Sequence, residues 1–266
     1  MPETESEAAG EQKREAMPTM GFLDHLEELR TRLVYSIAAV AVGFFACWGY
    51  REKLYAIMQK PIMDALRANG MSDKLVYLNP VEPFNLYLKI AALAGLFLTS
   101  PFVLYQVWMF ISPGLYRHEK RYVMPFMAST IALFAAGGYF GYRIVYPRVL
   151  EFLIDFSKQF QPMITIGEYT SLFLSIILGM GVIFEMPILI FFLALMGIVS
   201  AGFMWKNFRY AILIIFIVAA IVTPTPDVLN MCIFAAPMIG LYVISIGIAW
   251  MVHPKQRRAR KEKQAA

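Results

Sequence analysis

Ser100-Pro101-Phe102-Val103-Leu104-Tyr105-Gln106-Val107-Trp108-Met109-Phe110-Ile111-Ser112-Pro113-Gly114-Leu115-Tyr116-Arg117-His118-Glu119-Lys120-Arg121 decides the fold. It begins inside an apolar run and passes aromatic residues of the kind that anchor a helix at the headgroup level. It breaks at Pro113-Gly114, a dipeptide that ends helices. A short charged cluster follows, and a second apolar run begins after Tyr122. This is the pattern of one membrane-spanning helix, a tight loop and the next span. Glu119 is the lone acid among Arg117, Lys120 and Arg121. On chemistry alone two readings are open for it, a solvated ion-pair partner or a binding group.

The composition extends that reading to the whole chain. Apolar residues make up 59% and charged residues 16%, with a mean hydropathy of +0.57. Soluble domains are about one quarter charged. The net charge is +5 and the isoelectric point about 9.1. In a membrane protein such an excess concentrates in cytoplasmic loops, where it meets anionic headgroups rather than nucleic acid. Cys47 and Cys232 lie in apolar runs. They form no disulfide framework, and packing is their expected role. Residues 1–20 are polar and mostly acidic, without the basic start and apolar core of a cleaved signal. They are expected to be a disordered cytoplasmic tail.

Working outward from the opening stretch, an amphipathic helix is expected over residues 22–33. Leu23, Leu26, Leu29 and Leu33 form its apolar stripe, and Asp24, Glu27 and Glu28 share another face. It runs directly into a first span, residues 33–50. Residues 51–86 read as an ordered outer cap with a helix at 52–68, punctuated by Pro61. The second span is 86–111 and the third 122–145. The third carries Ala135, Ala136, Gly137, Gly138 and Gly141, small residues that permit close helix approach. Residues 146–168 read as a second outer loop, 169–196 as the fourth span and 197–209 as an inner loop. A fifth span at 210–222 reaches only about 20 Å at ~1.5 Å per residue, short of a ~30 Å hydrocarbon core. A Pro-rich turn, Thr223-Pro224-Thr225-Pro226-Asp227, leads to a sixth span at 228–252 and a basic cytoplasmic tail at 253–266. The expected fold is an all-α integral membrane protein. It has six transmembrane helices within residues 21–252, short fifth and sixth helices, and a concave groove with an intramembrane Glu. Arg30, Arg32, Arg117, Lys120, Arg121, Lys206, Arg209 and the tail charges place both termini in the cytoplasm.

That Glu is Glu185, in Gly181-Val182-Ile183-Phe184-Glu185-Met186-Pro187. A carboxylate at mid-membrane costs a few kcal/mol, so such groups face a protein-lined or wet site. The alternative is a neutral Glu hydrogen-bonded between helices. His25, His118 and His253 all fall at the surface in this topology, so no span offers imidazoles to a haem. No phosphate-binding Gly-rich loop, catalytic triad or metal-ligand spacing is visible. Neither enzyme activity nor a cofactor or metal is expected.

Several motifs in order resemble the TatC family, the multispan core of the twin-arginine protein translocase. They are His25-Leu26-Glu27-Glu28-Leu29-Arg30-Thr31-Arg32-Leu33, the segment 80–89 with Glu82 and Phe84, the segment 101–121, Phe184-Glu185-Met186-Pro187 and the Pro-rich turn. The resemblance covers residues 22–250. It implies an inner-membrane receptor for Arg-Arg signal peptides that passes folded proteins across the membrane with TatA and TatB, using the proton-motive force. It assigns Glu28 and Glu119 to the signal's arginines, with Leu26, Arg30 and Phe110 on the same recognition surface. Pro61 falls in the first outer loop and Asp227 in the last outer turn. Thr225 and Asn230 fall where partner helices dock, and Asn230 stands where many members carry Gln. The two carboxylate patches converge only if the helices that carry them are neighbours. Glu185 also supports a rival, a proton- or cation-coupled small-solute transporter, but no internal repeat accompanies it. A passive scaffold is the third class, in which every acid is dispensable.

Overall fold

The structure is a computed structural model that describes residues 22–70, 75–111, 123–157, 163–195, 197–223 and 228–265. The amphipathic segment and the first span form one helix, α1 (Phe22–Trp48). No Pro interrupts the register before Gly49, Gly43 is packed, and the Thr31 and Ser36 hydroxyls donate back to the Glu27 and Arg32 carbonyls within the helix. The cap helix is α2 (Arg51–Ala68). Its Met58, Ile62 and Leu66, spaced by four, are almost fully buried. The long α3 (Glu82–Ile111) runs back along α1 in the opposite direction. Trp48 meets Phe84 at one end, Gly43 meets Gly95 midway, and His25 stacks on Phe110 at the other end.

The Gly43–Gly95 crossing is close enough to exclude any side chain. A Cβ on Gly43 would lie 2.7 Å from the Gly95 carbonyl oxygen, and one on Gly95 would lie 2.6 Å from the Phe44 nitrogen. The small residues expected to pack do so in part. Gly137, Gly138 and Gly141 of α4 (Val123–Phe140) and the π-helical turn after it are buried, while Ala135 and Ala136 are exposed. A Cβ on Gly137 would lie 2.5 Å from the Met180 carbonyl oxygen.

Three expectations are corrected. Residues 146–156 are not loop but α5 (Tyr146–Phe156), continuous with α4 through the π-helical turn Gly141–Val145. Pro147 has no N–H to return to the preceding turn, and the helix runs on because the π-helical turn shifts the ladder there, Tyr146 donating to the Gly141 carbonyl. Tyr146, Val149, Leu150 and Ile154 supply a buried stripe at helical spacing. The fourth span is broken into α6 (Ile166–Ile183) and α7 (Met186–Leu195), with Phe184 and Glu185 in the turn. Pro187, lacking an N–H, cannot carry the helical ladder back to Ile183. After α8 (Ala201–Lys206) and the short α9 (Phe208–Val222), the sixth helix proves long. α10 (Val228–Ala265) has 38 residues, because the apolar part, Met231–Met251, runs without a stop into the basic segment.

Among the described residues the elements are helical, joined by an isolated parallel bridge between Val76 and Thr165. Val76 donates to the Ile164 carbonyl at 3.0 Å, and Ile166 donates back to Val76 at 2.8 Å. This ties the cap to the start of α6. Beneath it, the buried Tyr169 hydroxyl donates to the Met58 carbonyl at 2.6 Å. Among the described residues four helical stretches are long and apolar enough to cross a membrane: His25–Trp48, Glu82–Phe110, Ile166–Ala194 and Met231–Met251. Both cysteines are free.

Candidate functional site

The antiparallel pairing of α1 and α3 brings the Glu28 motif to the C-terminal end of α3, the end nearer to Glu119 in the sequence. His25 lies on Phe110 with ring centroids 4.3 Å apart and planes 16° from parallel. Two turns further along α1, Arg32 bridges the two helices. Its Nη2 donates to Glu28 Oε1 at 3.1 Å and its Nη1 to Gln106 Oε1 at 3.1 Å. The pair is largely screened from solvent, with 17% of the Glu28 side chain and 25% of that of Arg32 accessible. Glu28 Oε2 is buried and, among the described residues, accepts no hydrogen bond. An orphaned buried acceptor is costly, and a donor arriving from outside would satisfy it.

Around this pair lies a concavity of about 480 Å³ lined by Glu27, Glu28, Thr31, Arg32 and Tyr35. Two carboxylates against one guanidinium leave it with a negative excess. Leu26 and Arg30 are exposed on the same helix end. The structure therefore joins Glu28, Leu26, Arg30 and Phe110 at one end of the α1–α3 pair. Pro61 is separate from them, within α2, at the opposite end of α1. Glu119, Thr225 and Asp227 lie outside the described residues. Asn230 is in the first turn of α10, but its side chain is not among those described. Arg32 and Gln106 were missed as site residues. Arg32 stands four residues after Glu28, the spacing of a helical ion pair. Gln106 is the side-chain amide of the second span, whose other polar residues are Lys89, Thr99 and Ser100.

Glu185 occupies the turn between α6 and α7. Its N–H donates to Val182 and its carbonyl accepts from Leu189, so the backbone is satisfied across the break. The side chain is half-buried, and Oε1 is buried with no hydrogen-bond partner among the described residues. The helix break is held by Gly137, which admits Phe184 against α4. Among the described residues no cation pairs with Glu185 and no cluster of metal-ligating side chains is present.

Long apolar helices with a carboxylate–guanidinium cluster at one end and a solitary carboxyl at a break in a span define a multi-pass membrane protein with two polar sites. Residues 24–237 match the family described as Sec-independent protein translocase protein (TatC). A TatC of Koribacter versatilis is 64% identical over 253 residues, covering 95% of this chain and 93% of that protein. A TatC of Desulforapulum autotrophicum is 41% identical, covering 92% and 89%. The crystal structure of a twin-arginine translocase receptor TatC superimposes with a TM-score of 0.75 at 35% identity, covering 85% of this chain and 97% of that one. The chain belongs to the TatC family and is a component of the Sec-independent protein translocase. The small-solute transporter reading is thereby set aside.

Proposed function

We propose that the chain is the receptor and core of a translocase in the bacterial inner membrane, without a catalytic centre. It binds Arg-Arg signal peptides at the α1–α3 end, with Glu28 taking one arginine and Glu119, which follows α3 in the sequence, the other. The observation that carries this reading is the unsatisfied, buried Glu28 Oε2 beside an oxygen already held by Arg32. A guanidinium presents paired N–H groups to a carboxylate, whereas an ammonium acts as a point charge. A detergent-solubilised pull-down is expected to retain an Arg-Arg signal peptide about tenfold better than an otherwise identical Lys-Lys peptide. Equal retention would overturn the assignment.

Six spans are completed by α4 and α9, both termini lying in the cytoplasm, with the basic residues of the short loops as support. α9 has 15 residues, about 22 Å of helix, and leaves a thinned membrane or a place for a TatA or TatB span near Thr225 and Asn230. Asp227 and Pro61 belong to the outer face. Anionic headgroups meet the cytoplasmic basic residues, and the receptor works as an oligomer that moves folded cargo with the proton-motive force.

Glu185 faces a concave, wet groove in this reading and acts in transport rather than in folding. If its hydrogen bonding matters, Glu185→Gln retains much of the transport activity and Glu185→Ala loses it. If its charge matters, both fail while signal-peptide binding persists. Normal transport by Glu185→Leu in a more stable protein would refute the role, because removing a costly buried carboxyl would then only help.

A further inference from the structure

α5 and α6 part beneath α2, leaving a cleft of about 370 Å³, within the roughly 300–1,000 Å³ range of ligand pockets. Its α5 wall is hydrocarbon, formed by Leu150, Leu153 and Ile154. Its α6 wall is polar in places. Glu168, Ser171 and Ser175 stand at i, i+3 and i+7, one helical stripe, and all are exposed, so the cleft opens to the surroundings of the span. Ser171 satisfies itself by donating to the Gly167 carbonyl at 3.0 Å. Among the described residues the Ser175 hydroxyl has no hydrogen-bond partner and the Glu168 carboxylate no cation. Arg148, the cation on α5, is engaged by Glu151 at 3.5 Å.

The cleft also sits at a definite depth. α6 opens the span Ile166–Ala194, which puts Glu168 in its first turn and at the headgroup level. Ser175 lies seven residues on, about 10 Å deeper at ~1.5 Å per residue. A ligand that fits must offer a cation at the surface, an acceptor about 10 Å below it, and hydrocarbon alongside. An anionic headgroup would set like charge against Glu168.

We propose that this cleft binds one phospholipid with a cationic amine headgroup. The ammonium meets Glu168, an ester carbonyl accepts the Ser175 hydroxyl, and an acyl chain lies against Leu150, Leu153 and Ile154.

Native mass spectrometry of the full chain tests it, after equilibration with phosphatidylethanolamine and phosphatidylglycerol of identical chains. The wild type is expected to retain one phosphatidylethanolamine about two- to fivefold more strongly than phosphatidylglycerol, the ratio an exposed ion pair supports. Glu168→Gln should abolish the preference but not the adduct. Leu153→Trp should fill the cleft and remove both lipids. If that variant does not fold, Ser175→Phe obstructs the same space from an exposed position. Equal retention of the two lipids by the wild type would overturn the proposal. So would a preference for phosphatidylglycerol, retention of detergent alone, or an adduct unchanged in a folded cleft-filling variant.

Discussion

Gly95→Val will unseat α1 from α3 and abolish signal-peptide binding without touching a binding residue. The added carbons have nowhere to go. Even the first would lie 2.6 Å from the Phe44 nitrogen and 2.7 Å from the Gly43 carbonyl carbon, all backbone atoms that no rotamer change can move. Overpacking costs about 1–3 kcal/mol where side chains can adjust, and here the cost should reach or pass the top of that range. The effect on function follows from leverage. His25–Phe110 and Arg32–Gln106 meet only because this crossing holds the helices together along their length. Cysteines introduced at His25 and Phe110 should cross-link in the otherwise native protein and fail to do so with Gly95→Val. Gly202→Ala is the control: nothing lies within 4 Å of its would-be Cβ, and it should be neutral or slightly stabilising. Cross-linking that survives Gly95→Val would show that the crossing is not what builds the site.

Glu28→Gln will weaken Arg-Arg peptide binding by about ten- to a hundredfold, matching a charge-assisted hydrogen bond of ~1.5–3 kcal/mol. The amide keeps the size of the side chain and can still accept from Arg32. It removes the negative excess of the concavity, where Glu27 would then balance Arg32 alone. The remaining affinity should therefore lose much of its salt dependence. Thermal stability should change little, since the amide oxygen can still accept from Arg32 and the negative charge of Glu27 remains beside it. Titrations of labelled peptide at low and high salt check both statements. An unchanged affinity in the double variant Glu28→Gln, Glu119→Gln would remove these carboxylates from the recognition mechanism.

Much of the architecture was legible because lipid and helical periodicity constrain it locally. The amphipathic entry into α1, the cap helix α2, the second span and the shortness of α9 all follow from runs of neighbouring residues. Proline is the residue whose effect the local sequence leaves open. Pro147 stands inside continuous helix at the start of α5, whose Tyr146, Val149, Leu150 and Ile154 are buried at helical spacing. Pro187 instead follows a full break that sets Glu185 in a turn.

The sequence by itself determined the acids and their chemistry: Glu28 on an amphipathic face, Glu185 inside an apolar run, small residues where helices must approach. It could not determine which groups those acids meet. Gln106 reaches Arg32 across 74 residues of chain, and Gly43 meets Gly95 across another helix, because burying an apolar surface and satisfying a polar atom depend on neighbours in space. Only the tertiary structure decided that one oxygen of Glu28 is held and the other left without a donor. That asymmetry arises from the rotation and closeness of α1 on α3, which no local pattern of residues specifies.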